Sequence, residues 1–291
     1  MKKKKNKRIM EYALFLSMKF IVNLFPLKIR YKISNFFGIL FYYLIKKRRE
    51  IIFKNLDIAF PELSFLEKKK IAIKSCKNIS TNFFELFWYE KISKKENYEI
   101  INNEILKKEY TKGKGVVLLT LHMGNWELGS NLTKFGYNLS AIARKQNNIY
   151  FDNYITKMRN FYKIDIILNS NKKILKPIIE DLKNKKCVIF LSDQFQKGTI
   201  VEFFHKKTRA PIGAPYLSLK TGAPVVLAYC IRDKKYGKFK IIIDKKIDIV
   251  KSNDFKDDLF RNTQNIFKDF ERVIKKFPEQ WFWQHNRWKD F

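Results

Sequence analysis

The stretch 118–130, reading LLTLHMGNWELGS, sets an imidazole and a carboxylate five positions apart, His122 and Glu127. On a single regular helix, five positions turn a side chain through about 140°, so the two would not face a common point. The flanking residues offer another arrangement. Residues 115–121 are apolar and β-branched at the start and read as a buried strand. Trp126, Leu128, Leu132 and Phe135 then recur at roughly helical spacing. His122 therefore falls in a strand-to-helix turn, with Gly124 and Asn125 supplying backbone freedom and N-cap chemistry. From the loop, a carboxylate in the first helical turn can fold back onto the ring. It would fix the tautomer and stabilise the imidazolium, leaving the other nitrogen to take a proton from a hydroxyl. Two structural alternatives stay open on spacing alone: Glu127 as a first-turn acid favoured by the helix dipole, and His122 as a hydrogen-bonded turn residue.

Other polar residues follow strand-like runs. Arg144 and Lys145 succeed 139–143, Arg159 sits on the next helical pattern, and Asp193-Gln194 succeed 187–191. Ligands gather where strands end in an open α/β sheet, and guanidinium groups there suit phosphates. Lys112-Gly-Lys-Gly115 precedes its strand instead of following it, which discounts it as a phosphate loop.

The words around the pair carry more than its spacing. HMGNWE (122–127) resembles the H-x4-D/E motif of membrane acyltransferases, in the form found in the lipid A late acyltransferases. Four further segments resemble that family in order. They are NLDIAFPE (55–62), SDQ (192–194) with Phe203-Phe204 and Thr208, TGAPV (221–225), and WQHNRWK (283–289). The resemblance implies a glycerolipid-acyltransferase-like α/β fold. It also implies an acyl carrier protein thioester as donor, an anionic bis-phosphorylated lipid A precursor as acceptor, and no metal or bound cofactor. By the same resemblance Arg144 helps hold the acceptor and Arg159 matches a second arginine. In the loop after Asp193-Gln194, Phe195 replaces the second acid usual in relatives. Asp193 is accordingly expected to position, not to perform acid–base chemistry. His205, where relatives carry glycine, is not expected to be catalytic, and His285, in the aromatic C-terminal segment, is expected to be a packed structural or membrane-interface residue.

The chain has 60 Lys and Arg against 28 Asp and Glu, a formal charge of +32, which favours polyanionic partners: nucleic acid, an anionic membrane or an acidic protein. Abundant Lys, Asn, Ile, Phe and Tyr also fit A/T-rich coding, so only charge beside a lipid-like segment or the catalytic turn counts as functional evidence. The 27 Phe lie in apolar runs, not among exposed basic residues, which weighs against a non-enzymatic nucleic-acid binder. The three cysteines are scattered and show no C-x-x-C spacing, so neither a disulfide framework nor a zinc site is expected.

Residues 1–8 form a basic tail ahead of the apolar stretch 9–27. Glu11, Lys19 and Asn23 interrupt that stretch, falling within about 120° of one another on a helical wheel, and Pro26 ends it. The rod could lie in a membrane interface or span with its stripe against protein. A second apolar run, 36–45, ends in Lys46-Lys-Arg-Arg49, as expected for contact with anionic headgroups. Residues 49–110 read as helical. From 115 onward, strands at 115–121, 139–143, 164–168, 187–191, 225–231 and 238–243 alternate with helices at 149–162, 173–184 and 212–221, and a long amphipathic helix spans 255–276.

The expected architecture is therefore α/β: a mixed, mostly parallel sheet covered by helices. It divides into membrane-attachment helices at 1–48 and an acyltransferase domain at 49–291. The expected activity is O-acyl transfer from acyl carrier protein to a lipid A precursor at the cytoplasmic face of a bacterial inner membrane. His122 is the expected base, Glu127 its orienter, and Asn125, Arg144, Arg159, Asp193 and Gln194 the substrate-binding residues. An acyltransferase acting on a glycerophospholipid or another glycolipid is the enzymatic alternative.

Overall fold

The computed structural model describes residues 2–169 and 174–289. Helices α1 (Lys2–Asn23), α2 (Leu27–Leu44), α3 (Lys46–Ala59) and α4 (Phe65–Glu85) come first, then the short α5 (Tyr89–Ile92). The α/β part follows as β1 (Tyr98–Ile101), α6 (Asn103–Tyr110), β2 (Val116–Thr120), a 3₁₀ helix over Trp126–Phe135, β3 (Leu139–Ala143), α7 (Ile149–Phe161) and β4 (Asp165–Leu168). It continues with α8 (Leu175–Lys183), β5 (Cys187–Leu191), β6 (Thr199–Phe203), β7 (Lys206–Ala210), α9 (Gly213–Thr221), β8 (Val225–Arg232), β9 (Phe239–Ile247) and α10 (Phe255–Lys276).

Local chemistry explains several ends. Ser64 and Glu67 form a capping box at the start of α4, each satisfying a backbone donor of the other's turn. Asp254 accepts the amide hydrogens of Lys256 and Asp257 at the start of α10. The expected start of α8 at Lys173 lies outside the described residues, as does Met1 of the basic tail.

Seven strands form one sheet in the order β1-β9-β8-β2-β5-β3-β4. From β8 to β4 the neighbours are parallel, β9 runs antiparallel to β8, and β1 runs parallel to β9. The sheet is thus mixed and mostly parallel. β2 is buried on both faces, as its unbroken apolar run requires. Val117 and Leu119 pack with α8, α9 and α10 on one side. Val116 and Leu118 pack with α1, α6, α7 and the 3₁₀ helix on the other.

Two strand pairs escape the sequence pattern. Residues 49–110 are not wholly helical: β1 lies at the sheet edge, pairing Tyr98–Ile101 with Phe239 to Ile242. Its four residues are too few to show a period beside α6. β6 and β7 form a separate antiparallel hairpin turning at Phe204 and His205, both with left-handed backbone. That turn lacks the Gly or Asn that would mark it in the sequence. The side chain of His205 is 86% exposed there.

The N-terminal helices are packed into the same body. α1 turns its polar stripe inward: Lys19 donates to the Tyr154 hydroxyl at 3.1 Å, Asn23 donates to the Phe87 carbonyl at 3.1 Å, and Glu11 accepts from Asn148 at 3.1 Å. Phe15 and Val22 are buried beside that stripe. The opposite face is apolar and open, with Leu14 at 70% and Phe20 at 69% exposure. No helix among the described residues is long and apolar enough to cross a membrane, so the spanning option for 9–27 has no support here. On the other flank α2 meets α4 so closely that a Cβ on Gly38 would lie 2.5 Å from the Lys77 Cα.

Candidate active site

β2 and β5 are adjacent and in register, with Thr120 opposite Leu191. His122 and Asp193 each stand two residues beyond that pair, so the register alone brings them together at the carboxyl edge of the sheet. His122 Nδ1 and Asp193 Oδ1 are 2.7 Å apart. Asp193 Oδ2 accepts two more hydrogen bonds, from the His122 amide at 3.1 Å and the Trp281 indole N–H at 2.8 Å. The carboxylate side chain is 1% exposed and the imidazole 19%. Burial pushes the Asp193 carboxyl up, but the charge and hydrogen bond of the His122 ring, helped by the Trp281 and backbone donors, hold it below the usual carboxylate value. A buried, ionised carboxylate on Nδ1 makes that nitrogen the donor and leaves Nε2 as the proton acceptor.

The turn carrying His122 is clamped from three sides. Phe282 donates its amide to the His122 carbonyl at 3.1 Å, and Gly124 donates to the Gln280 carbonyl at 3.0 Å. Asn82 and Asn78 of α4 both donate to the Gly124 carbonyl. Gly124 has φ 53°, and a Cβ there would sit 2.3 Å from the Cys230 carbonyl oxygen on β8. Only glycine fits that approach. The rings of Trp126 and Phe282 flank the imidazole, with centroids 5.1 and 6.2 Å away.

Behind the turn lies a buried charge network. Arg232, at the end of β8, pairs with Glu85 of α4 and also donates to Asn78 and Asn82. Glu85 accepts from the Tyr31 hydroxyl at 2.7 Å and from the Asn125 amide at 2.6 Å. Asn125 is 5% exposed, with its side-chain amide committed to Glu85. Removing one partner of a buried pair leaves the other charge uncompensated, which costs about 3–5 kcal/mol. Glu85→Ala is therefore expected to lower stability by about that amount in denaturant unfolding. A loss below about 1 kcal/mol, the level of an exposed pair, would mean the network is solvent-screened.

The residues expected from sequence divide accordingly. His122, Asp193 and Arg144 come together: His122 and Arg144 line one cavity of about 410 Å³ with Lys197. Gln194 lines a second, apolar cleft of about 700 Å³ between α2 and α4, shared with Phe41, Phe83, Phe282 and His285. Phe282 stands between the two regions, its ring centroid 6.2 Å from that of the imidazole while its side chain lines the cleft. Arg159 lies on α7, outside the residues lining either space. Glu127 opens the 3₁₀ helix, and no hydrogen bond or ion pair joins it to His122 among the described residues. Its field instead reaches the buried Tyr162 hydroxyl. The place on the imidazole expected for the Glu127 carboxylate is taken, at Nδ1, by Asp193. Trp281 went unnoticed in the sequence, since an indole in an aromatic segment reads first as core.

A family model described as bacterial lipid A biosynthesis acyltransferase matches residues 1–290. Among curated relatives, the lipid A biosynthesis palmitoleoyltransferase of Escherichia coli K12 is 26% identical over 254 residues, covering 84% of this chain and 80% of the relative. The lipid A biosynthesis lauroyltransferase of the same organism is 24% identical over 279 residues, 91% of this chain and 86% of the relative. A phosphatidylinositol mannoside acyltransferase of Mycobacterium tuberculosis is 22% identical over 181 residues, 60% of this chain and 55% of the relative. All three are named as enzymes that move acyl groups, which sets aside the non-enzymatic nucleic-acid binder. With the match running from the first helix to the Trp281 segment that completes the site, this chain belongs to the bacterial lipid A biosynthesis acyltransferases and transfers acyl groups.

Proposed function

We propose that this enzyme transfers a fatty acyl group from an acyl carrier protein thioester to a hydroxyl of a lipid A precursor, working at the cytoplasmic face of the inner membrane. The observation that supports it most is the position of His122. Its Nδ1 is held by a buried carboxylate, and its ring opens on a cavity carrying Arg144, beside an apolar cleft of about 700 Å³. That volume is in the range of ligand pockets and lined mainly by Phe, Leu and Ile, which suits an acyl chain. Arg144 and Lys197 suit the phosphates of the acceptor.

In this scheme the acceptor hydroxyl attacks the thioester carbonyl as His122 Nε2 takes its proton. Asp193 stabilises the imidazolium that forms. Collapse of the tetrahedral species expels the thiolate, which recovers the proton from Nε2. The thioester supplies the activated acyl group, so the scheme calls for no cofactor or metal. The surplus of positive charge favours encounter with an acidic carrier protein. The assay is transfer from a carrier thioester to a lipid A precursor in detergent micelles, read as the gain of one acyl mass. If only oxygen esters or free acids serve as donors, the donor assignment is wrong. If a phosphatidylinositol mannoside or a glycerophospholipid is acylated in preference, the acceptor class moves with it.

Attachment to the bilayer is assigned, in this reading, to α1 and α2. With the polar stripe of α1 turned inward, Leu14 and Phe20 of α1 and Phe36 and Leu44 of α2 are exposed, and the Lys46–Arg49 cluster follows α2. Exposed apolar side chains on two helices with a cationic cluster after them fit interfacial insertion into an anionic membrane. Burying one such side chain is worth about 1.5–3 kcal/mol, so Leu14→Lys with Phe20→Lys is expected to weaken binding to anionic vesicles at least about tenfold. Co-sedimentation equal to wild type would place attachment elsewhere.

A further inference from the structure

His285 stands beside the reaction centre and takes no part in the scheme above. It lies in the C-terminal segment, four residues after Trp281, and lines the apolar cleft together with Gln194 and Phe282. Its backbone is fixed: the carbonyl accepts from Asn55 at 2.7 Å, and the amide donates to the Phe282 carbonyl at 3.4 Å. Nδ1 is buried with no partner among the described residues, while the residue lines the cleft. A tautomer with its proton on Nε2 leaves only a lone pair at the buried nitrogen and puts the donor on the ring atom farther from the backbone. Burial, opposed by Asp193 but aided by Arg287, His122 and Lys289, pushes the imidazole down to about 4 and keeps it uncharged at neutral pH. Phe282 ties the two residues together: its amide donates to the His122 carbonyl at 3.1 Å and its carbonyl accepts the His285 amide.

We propose that His285 is a second catalytic residue, donating a hydrogen bond from Nε2 to the acyl carbonyl oxygen as the tetrahedral species forms. The assignment rests on the thioester scheme. As the hydroxyl oxygen bonds to the carbonyl carbon, the C=O π pair moves onto oxygen and the hydroxyl proton goes to His122 Nε2. When the C=O bond re-forms, the C–S bond breaks and the thiolate takes that proton back. The His285 proton stays on its own nitrogen throughout. A neutral donor already in place strengthens its hydrogen bond as the oxygen becomes negative, and so favours the transition state over the bound substrate. Phe282, which lines the cleft and has its ring centroid 6.2 Å from that of His122, marks the end of the cleft nearest the base.

The test compares His285→Ala, His285→Gln and His285→Asn in transfer from a lauroyl-carrier thioester. Glutamine carries an amide nitrogen to about the reach of Nε2, and asparagine only to that of Nδ1. His285→Ala is expected to lose about 10²–10³ in kcat with little change in KM for the donor. His285→Gln should regain at least about tenfold of that loss, and His285→Asn should not. Thermal unfolding of His285→Gln, which fills the same space, separates chemistry from folding. A kcat for His285→Ala close to wild type, or equal rates for the glutamine and asparagine variants, overturns the assignment. Absence of thioester transfer by the wild-type enzyme would instead remove the donor scheme itself.

Discussion

Replacing His122 by alanine is expected to abolish practical turnover. Loss of a general base costs about 10²–10⁴ in rate. Here the same ring also fixes the direction from which the hydroxyl approaches, and lost orientation adds to the deficit. The protein should still fold. The turn is held through backbone groups of residues 122 and 124 and by the glycine contact with β8, none of which needs the imidazole. The remaining cost falls on Asp193, left buried with only the Trp281 and His122 N–H donors. A modest drop in melting temperature is the expected sign of that. Acceptor binding should persist, since Arg144 and the cleft are untouched. His205→Ala serves as a control, because that ring projects from the β6–β7 turn. Turnover by His122→Ala at the wild-type rate would remove the imidazole from the mechanism altogether.

How far the sequence carried this site depends on which forces act locally. The strand ahead of His122, the strand ahead of Asp193 and the helix over 255–276 follow from apolar runs and periodicity, and they stand where those patterns put them. Gly124 was legible as a turn glycine, though its contact with Cys230 belongs to the packing of β8 on β2 and has no local signature. The pairing of His122 with Asp193 is of the same kind. Two polar residues, each following a buried strand, are natural neighbours once those strands are adjacent in register. The chain order does not say that β5 inserts between β2 and β3. Proximity in sequence therefore drew attention to Glu127, whereas the sheet delivers a carboxylate 71 residues away. Likewise Asn125 is expected from sequence among the substrate-binding residues, but tertiary packing commits its amide to Glu85. The polar stripe of α1 was visible on a helical wheel, yet only the fold says that it faces Tyr154, Phe87 and Asn148.

The carboxylate that serves His122 can be identified by exchanging single oxygens for amide groups. In Asp193→Asn, the side chain has one oxygen to offer and two places to put it. The Oδ2 site meets two donors, the Trp281 indole and the His122 amide, so the oxygen is expected there. The amide nitrogen then faces His122 Nδ1 and forces that nitrogen to accept. Its proton moves to Nε2, where a base needs a lone pair. An asparagine in this role has cost about 10⁴ in rate in a Ser-His-Asp hydrolase, through the same wrong tautomer. A loss of that order in kcat is expected here, with donor and acceptor binding kept. Glu127→Gln leaves Nδ1 and its partner intact. Its effect on kcat is therefore expected to be at least about tenfold milder than the 10²–10⁴ typical of an acid–base group. Parallel kcat measurements on the two variants decide the matter. If Glu127→Gln falls as far as Asp193→Asn, or if Asp193→Asn stays near wild type, the orienting carboxylate of the active enzyme is Glu127, and the turn must rearrange when substrate binds.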